Sequence, residues 1–173
     1  TGSEVIPLLY KKNEISKTEL NFMKSKILKK YNLKQTDWIV IFVGSINDYF
    51  EFDPVVNAAK KVYNKKKNIK FVIIGDGNKL RKLKKRISEE NIHNIIFTGW
   101  LDKSELTTFL SIAKVGLAPY RQLIGFENNI TNKIFEYIAH GLPILTSSSG
   151  KMKKFINANK IGFYYSNDNF IRL

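Results

Sequence analysis

Cysteine is absent from the 173 residues, which excludes a disulfide framework and any thiolate metal site. Two histidines, His93 and His140, are too few for a histidine zinc site. Acidic residues are scarce: 15 Asp and Glu stand against 29 Lys and Arg, a formal net charge of +14 that invites an anionic partner. Long apolar runs are missing too. The longest, Trp38 to Val43, falls far short of the roughly 20 residues that cross a bilayer and reads as a buried strand. No repeat, linker or low-complexity tract breaks the chain. Its 43% hydrophobic content is enough for a core, so the length predicts one globular domain and excludes a disordered tail or a fibre.

Short β-branched runs alternate with helical stretches, the pattern of βαβ units around a parallel sheet. The expected strands are Trp38 to Val43, Ile69 to Ile74, Asn94 to Thr98, Val115 to Ala118, Pro143 to Thr146 and Gly162 to Tyr165. Near-continuous apolar strands of this kind have helices on both faces. Ser16-Lys17-Thr18-Glu19 is a capping box ahead of Leu20, Met23 and Ile27. Asp53-Pro54 reads as a cap with proline at the first helical position, and Asp102 to Glu105 as another cap-plus-Glu start. A stripe of Leu80, Leu83 and Ile87 marks a further helix, rich in Lys and Arg on its other faces. One more runs from about Asn132 to Ala139 and closes on Gly141, and a sixth covers Lys151 to Asn157. The chain opens on Thr1 without a signal-peptide pattern, and Asp168 to Leu173 resembles the start of a helix. A cytoplasmic fragment of a longer protein is expected.

Pro119 to Thr131 is the one long irregular stretch, and it follows a strand at the carboxyl edge where open α/β sheets bind ligands. Gly75-Asp76-Gly77 sits between strand and helix, but Leu80 occupies the third glycine position of a dinucleotide fingerprint, so an ordinary tight turn explains it. Lys133, Glu136 and His140 share one helix face, with Ile134, Phe135, Ile138 and Ala139 on the apolar side. Spacing alone leaves two readings open. One is a surface ion pair worth about 0.3–0.5 kcal/mol. The other is a helix end that binds an anion, with a carboxylate one turn on that binds sugar hydroxyls. The lysine clusters are spread over several helices without any nucleic-acid module, which argues against nucleic acid as the partner.

The ordered landmarks Phe42-Val43-Gly44, Val72 to Gly77, Phe97-Thr98-Gly99-Trp100-Leu101, Val115 to Pro119 and, most specific, Asn132 to Ile144 span almost the whole chain. Their series resembles the nucleotide-binding C-terminal domain of GT-B glycosyltransferases of the group 1 kind, family four, which includes sucrose and glycogen synthases. The resemblance implies a Rossmann-like doubly wound α/β fold and a donor site for a nucleoside-diphosphate sugar, without a metal or other cofactor. By that resemblance Glu136 binds the ribose hydroxyls. Gly75, Asp76 and Gly77, with Gly99, Trp100 and Leu101, border the base, and Phe126 to Asn129 lie over the donor sugar and diphosphate. Many relatives carry a second glutamate eight positions before the ribose-binding one. Asn128 stands there in this chain with Glu127 beside it, and these two are the candidate catalytic residues.

Relatives commonly follow Gly44 with an Arg and, five residues later, a Lys that clamp the diphosphate; here Ser45 and Phe50 replace them. Arg121 and Lys133, flanking the long loop, are the expected substitutes. The implied activity is sugar transfer with retention to a glycan or lipid-linked acceptor held by a second domain, with peripheral membrane contact. By this reading the 173 residues alone transfer nothing. The alternatives are a sugar-nucleotide 2-epimerase of the same architecture and a non-catalytic basic module for an anionic membrane or nucleic acid.

Overall fold

The computed structural model describes residues 15–123 and 129–166. Six strands form one parallel sheet in the order β3-β2-β1-β4-β5-β6: β1 (Trp38–Val43), β2 (Ile69–Ile74), β3 (Ile95–Gly99), β4 (Val115–Ala118), β5 (Ile144–Thr146) and β6 (Gly162–Tyr164). The helices are α1 (Lys17–Lys30), α2 (Asp53–Tyr63), α3 (Leu80–Glu89), α4 (Lys103–Ile112), α5 (Asn132–Ala139) and α6 (Gly150–Asn159). Alternation along β1 sends Ile39, Ile41 and Val43 to one face and Val40 and Phe42 to the other. Both sets are buried. The first packs with α1, α4, α5 and α6 through Ile27, Phe109, Leu110, Ile134, Tyr137, Met152 and Ile156. The second packs with α2 and α3 through Val55, Val56, Ala58, Ala59, Leu83 and Ile87. This is the doubly wound α/β fold that the strand and helix patterns predicted.

Local signals account for most element ends. Ser16 Oγ accepts the Glu19 N–H at 3.2 Å, and Asp102 Oδ1 accepts the Glu105 N–H at 2.8 Å. Three expectations need correction. Asp53 is not a cap: Phe52 holds that place, and Asp53 lies in the first turn of α2, where it pairs with Arg86 of α3. A carboxylate there still favours the positive helix end. Asn94 lies just before β3, with its buried amide donating to Ala59 O at 2.8 Å and to Ile69 O at 3.3 Å. Ile138 is on the open side of α5, 37% exposed, because Ile134 and Tyr137 make the buried stripe. The helix start read at Asp168 to Leu173 lies outside the described residues.

Strand order reverses direction between β1 and β4, since β1 leads through α2 to a neighbour on one side and β4 leads through α5 to a neighbour on the other. At such a switch point the two connections leave the carboxyl edge on opposite faces and open a crevice. Tyr137 fixes α5 beside it. Its buried hydroxyl accepts the Val43 N–H at 3.1 Å and approaches Leu117 O at 3.1 Å, joining the helix to β1 and β4. A Cβ on Gly116 would come within 2.4 Å of the Tyr137 ring, so β4 needs a glycine there.

A groove of about 470 Å³ lies elsewhere. It lies at the amino ends of the strands, where Trp38, Val62, Val115, Leu145 and Phe163 line it. Apart from Lys114 on its rim its lining carries no charged group, so it is not the place for an anionic ligand.

Candidate functional site

The floor of the crevice is backbone. The turn after β1 and the turn after β2 are bonded together: Gly44 N–H donates to Ile74 O at 3.0 Å and Ile46 N–H to Asp76 O at 2.8 Å. A Cβ at Gly75 would stand 2.1 Å from Gly44 O, and one at Gly77 would stand 2.3 Å from Ile46 O. The two glycines therefore serve the approach of one turn to the other, a reason that spacing could not show. Gly75 N–H donates to Gly99 O at 2.9 Å, which brings the end of β3 alongside. There Trp100 is 62% exposed and Asp76 is exposed, while Leu101 packs inward against the core.

The wall is the N-terminus of α5. Thr131 occupies the cap position, yet its hydroxyl bonds to Tyr120 Oη and makes no cap bond to the helix. The helix therefore meets the crevice without a side-chain cap and with its partial positive charge available. From its first turn Lys133 extends over the carboxyl edge of the sheet to the rings of the opposite side. Its Nζ lies 3.8 Å from the Phe50 centroid, 4.1 Å from that of Phe42 and 5.4 Å from that of Tyr120. The same Nζ would be 3.1 Å from a Cβ on Gly44, so the glycine makes room for it. The amine is buried and has no hydrogen-bond partner among the described residues. Burial pushes its pKa well below the ordinary lysine value, with Glu136 opposing the shift. Burial likewise pushes the Tyr120 hydroxyl up to about 12.

The surface ion pair that spacing allowed for Lys133 is therefore not what forms. Phe50, at the position where the resemblance led to the expectation of a lysine, is part of the ring cage around a lysine from another element. Phe42, Tyr120 and Thr131 escaped the sequence reading because apolar strand ends and a cap-type threonine look structural. The signal available was that Phe50 replaced a cation beside a helix supplying one.

Glu136 is half-buried one turn along α5, and His140 Nδ1 lies 2.9 Å from Glu136 O at the helix end. Arg121 is directed elsewhere: its Nε is 3.3 Å from Glu51, and it borders a small pocket of about 120 Å³ with Asn47, Lys79, Lys82 and Arg86. The structure thus brings Lys133 to the switch point with Gly44, and holds Arg121 on an acidic partner. Asn129 is exposed. Phe126, Glu127 and Asn128 lie outside the described residues. What remains is a crevice with a helix dipole, a buried amine, a carboxylate one turn on and an exposed indole. These parts suit a ligand with an anionic centre, hydroxyls and a flat ring.

Comparison with known proteins agrees with the fold. The family model described as "Glycosyl transferases group 1" matches residues 23–171. No curated protein matches the chain. Among solved structures, WaaG, a glycosyltransferase involved in lipopolysaccharide biosynthesis, aligns with a TM-score of 0.70 at 17% identity, covering 94% of this chain and 42% of its own. The C-terminal domain of a group 1 protein, LpcC of Francisella tularensis, aligns at 0.65 and 16%, covering 92% of this chain and 80% of its own. HepE of Anabaena, solved with UDP and glucose, aligns at 0.69 and 10%, covering 91% and 42%. This chain therefore spans less than half the length of WaaG and HepE.

Proposed function

The chain belongs to the group 1 glycosyl transferases, and from that membership we propose that it is the donor-binding half of a retaining enzyme that moves a hexosyl unit from a nucleoside-diphosphate sugar to a glycan or lipid-linked acceptor. The observation that carries this reading is the uncapped N-terminus of α5, with the buried Lys133 amine, which has no hydrogen-bond partner among the described residues, beside it at the switch point of the sheet. The diphosphate rests on the first N–H groups of α5 and takes its charged hydrogen bond from Lys133. Glu136 accepts the ribose hydroxyls, and Trp100 offers a face to the base. When the glycosidic bond breaks, negative charge grows on the departing diphosphate. The helix end and Lys133 are already in place to stabilise it. The acceptor hydroxyl comes from a second domain, and a phosphate oxygen of the leaving group helps to take its proton, which keeps the anomeric configuration. Asn128 or Glu127 holds the donor sugar. Arg121 joins the diphosphate only by leaving Glu51, and so contributes less than Lys133.

UDP, GDP and ADP, compared with their nucleosides in thermal melts, test the reading directly: a ligand at about 100 times its Kd adds roughly 2.7 kcal/mol. Glu136→Ala is expected to weaken binding of the preferred diphosphate by about 1.5–3 kcal/mol with the melt of the free protein unchanged. An unaltered affinity would remove Glu136 from the site.

We also propose peripheral contact with anionic lipid at the inner face of the membrane, on the strength of the +14 charge. The protein should sediment with vesicles containing phosphatidylserine at physiological salt and remain in solution with neutral ones. Equal recovery from both would count against it.

A further inference from the structure

An ammonium at Lys133 would gain cation–π attraction from the rings around it. It would lose its hydration and find no hydrogen-bond acceptor among the described residues in return. The uncharged amine is the better occupant of the closed cage, in line with the downward direction of its pKa. The groups packed around it do not reverse this. Phe42 of β1 and Phe50 of the next loop carry no charge, and burial keeps the hydroxyls of Tyr120 and Tyr137 protonated. Glu51, next to Phe50, is engaged with Arg121. Among the described residues Glu136 favours the charged form, and it is outweighed by burial.

A diphosphate changes that balance, because it brings negative charge and oxygen acceptors within a turn of the same amine. We infer that donor binding is coupled to uptake of one proton by Lys133: the side chain is a neutral core group in the free protein and a phosphate-binding ammonium in the complex. The inference rests on the donor-site reading above. The Nζ lone pair takes a proton from a water or buffer molecule as the phosphate arrives, and the proton returns to solvent when the nucleotide leaves. Lys133 then has a higher pKa in the complex than in the free protein. Affinity is greatest below the free value, falls about tenfold per pH unit between the two values, and levels off above the bound one. A cation that stayed exposed and charged would give none of this.

UDP is the probe, since above pH 7 its own phosphates stay ionised. Calorimetric titration of the whole chain in two buffers of different ionisation enthalpy, at intervals from pH 7.5 to 9.5, counts the protons taken up per UDP bound. Uptake of up to one proton per UDP, with affinity falling as pH rises, is expected. Lys133→Arg should bind UDP with no uptake and no pH dependence over that range, because the guanidinium stays charged. Lys133→Met, which keeps the apolar packing, should also show no uptake, with weaker binding. UDP binding without proton uptake at every pH would overturn the inference and leave the donor site standing. Unchanged uptake in Lys133→Met would overturn the assignment to Lys133. Failure of the unaltered chain to bind UDP, GDP or ADP would overturn the donor-site reading itself.

Discussion

Lys133→Met is expected to give a more stable protein that holds a nucleoside diphosphate about 10–150-fold more weakly. The stability gain follows from the cage. Methionine fills the space between the Phe42, Phe50 and Tyr120 rings without burying an unpaired nitrogen, which in mutational series costs about 1–3 kcal/mol. Lost cation–π attraction offsets part of this, so a net gain of about 1–2 kcal/mol is expected. The gain has a pH signature. The Lys133 pKa is lower in the folded than in the unfolded chain, so the unaltered protein gains stability as pH rises through that window toward 10.5. The advantage of Lys133→Met is therefore largest below the lowered pKa and shrinks on the way up. The affinity loss follows from the other role: a hydrogen bond to a charged group is worth about 1.5–3 kcal/mol, and tenfold corresponds to 1.4. The nucleoside without phosphates should bind equally well to both forms. Urea unfolding at pH 6 and pH 10, with titration of UDP and uridine, reads all three effects. A destabilised variant with equal losses for both ligands would mean that Lys133 matters for packing alone.

Gly75→Ala should unfold the site from below, at a cost of about 2–6 kcal/mol. The new Cβ would lie 2.1 Å from Gly44 O, and the backbone there has φ +128°, which a residue with a side chain rarely adopts. A strained backbone of this sort costs about 1–3 kcal/mol and an overpacked contact about 1–3 more. Relief by a side-chain rotation is impossible, because the obstacle is a carbonyl of β1's own turn, bonded through Gly44 N–H to Ile74 O at 3.0 Å. Against a total stability of roughly 5–15 kcal/mol this is a severe loss. A change below 1 kcal/mol in urea unfolding would show that the two turns are not in contact as described. The same measurement separates two roles of the glycine, since a residue that only bordered a base would change affinity and leave the unfolding midpoint alone.

Much of the architecture was legible in the residues. The spans of β1, β2, β4 and α5 follow from apolar runs and from Gly141 at φ +67°, and the alternation of strands with helices sufficed for a parallel sheet. Misreadings occurred where a local signal had a tertiary competitor. Asp53 looks like a cap because it precedes proline, but its carboxylate is taken by Arg86 from the neighbouring helix. Asn94 looks like the first residue of a strand and lies one residue ahead of it: its carbonyl accepts the Phe71 N–H at 2.8 Å, and its side-chain amide holds two carbonyls from other segments. The site divides the same way. Glu136 and the helix that carries it are visible as a pattern of spacing within one element. Which cation faces the crevice is not, since whether Arg121 or Lys133 is available depends on what each meets across the fold. Arg121 meets Glu51, and Lys133 meets three rings.

By itself the sequence determined the class of fold, the order of its elements and the helix on which the candidate site is built, because these rest on periodicity and capping, which act over a few residues. Only the tertiary structure decided that the reversal of strand order lies between β1 and β4, that Gly75 and Gly77 exist for backbone contact, and that Lys133 is an enclosed amine rather than a surface cation. The physical reason is that desolvation and steric exclusion are set by atoms far away in the chain. Ninety-one residues separate Phe42 from Lys133, and no local pattern records that the ring of one closes over the amine of the other.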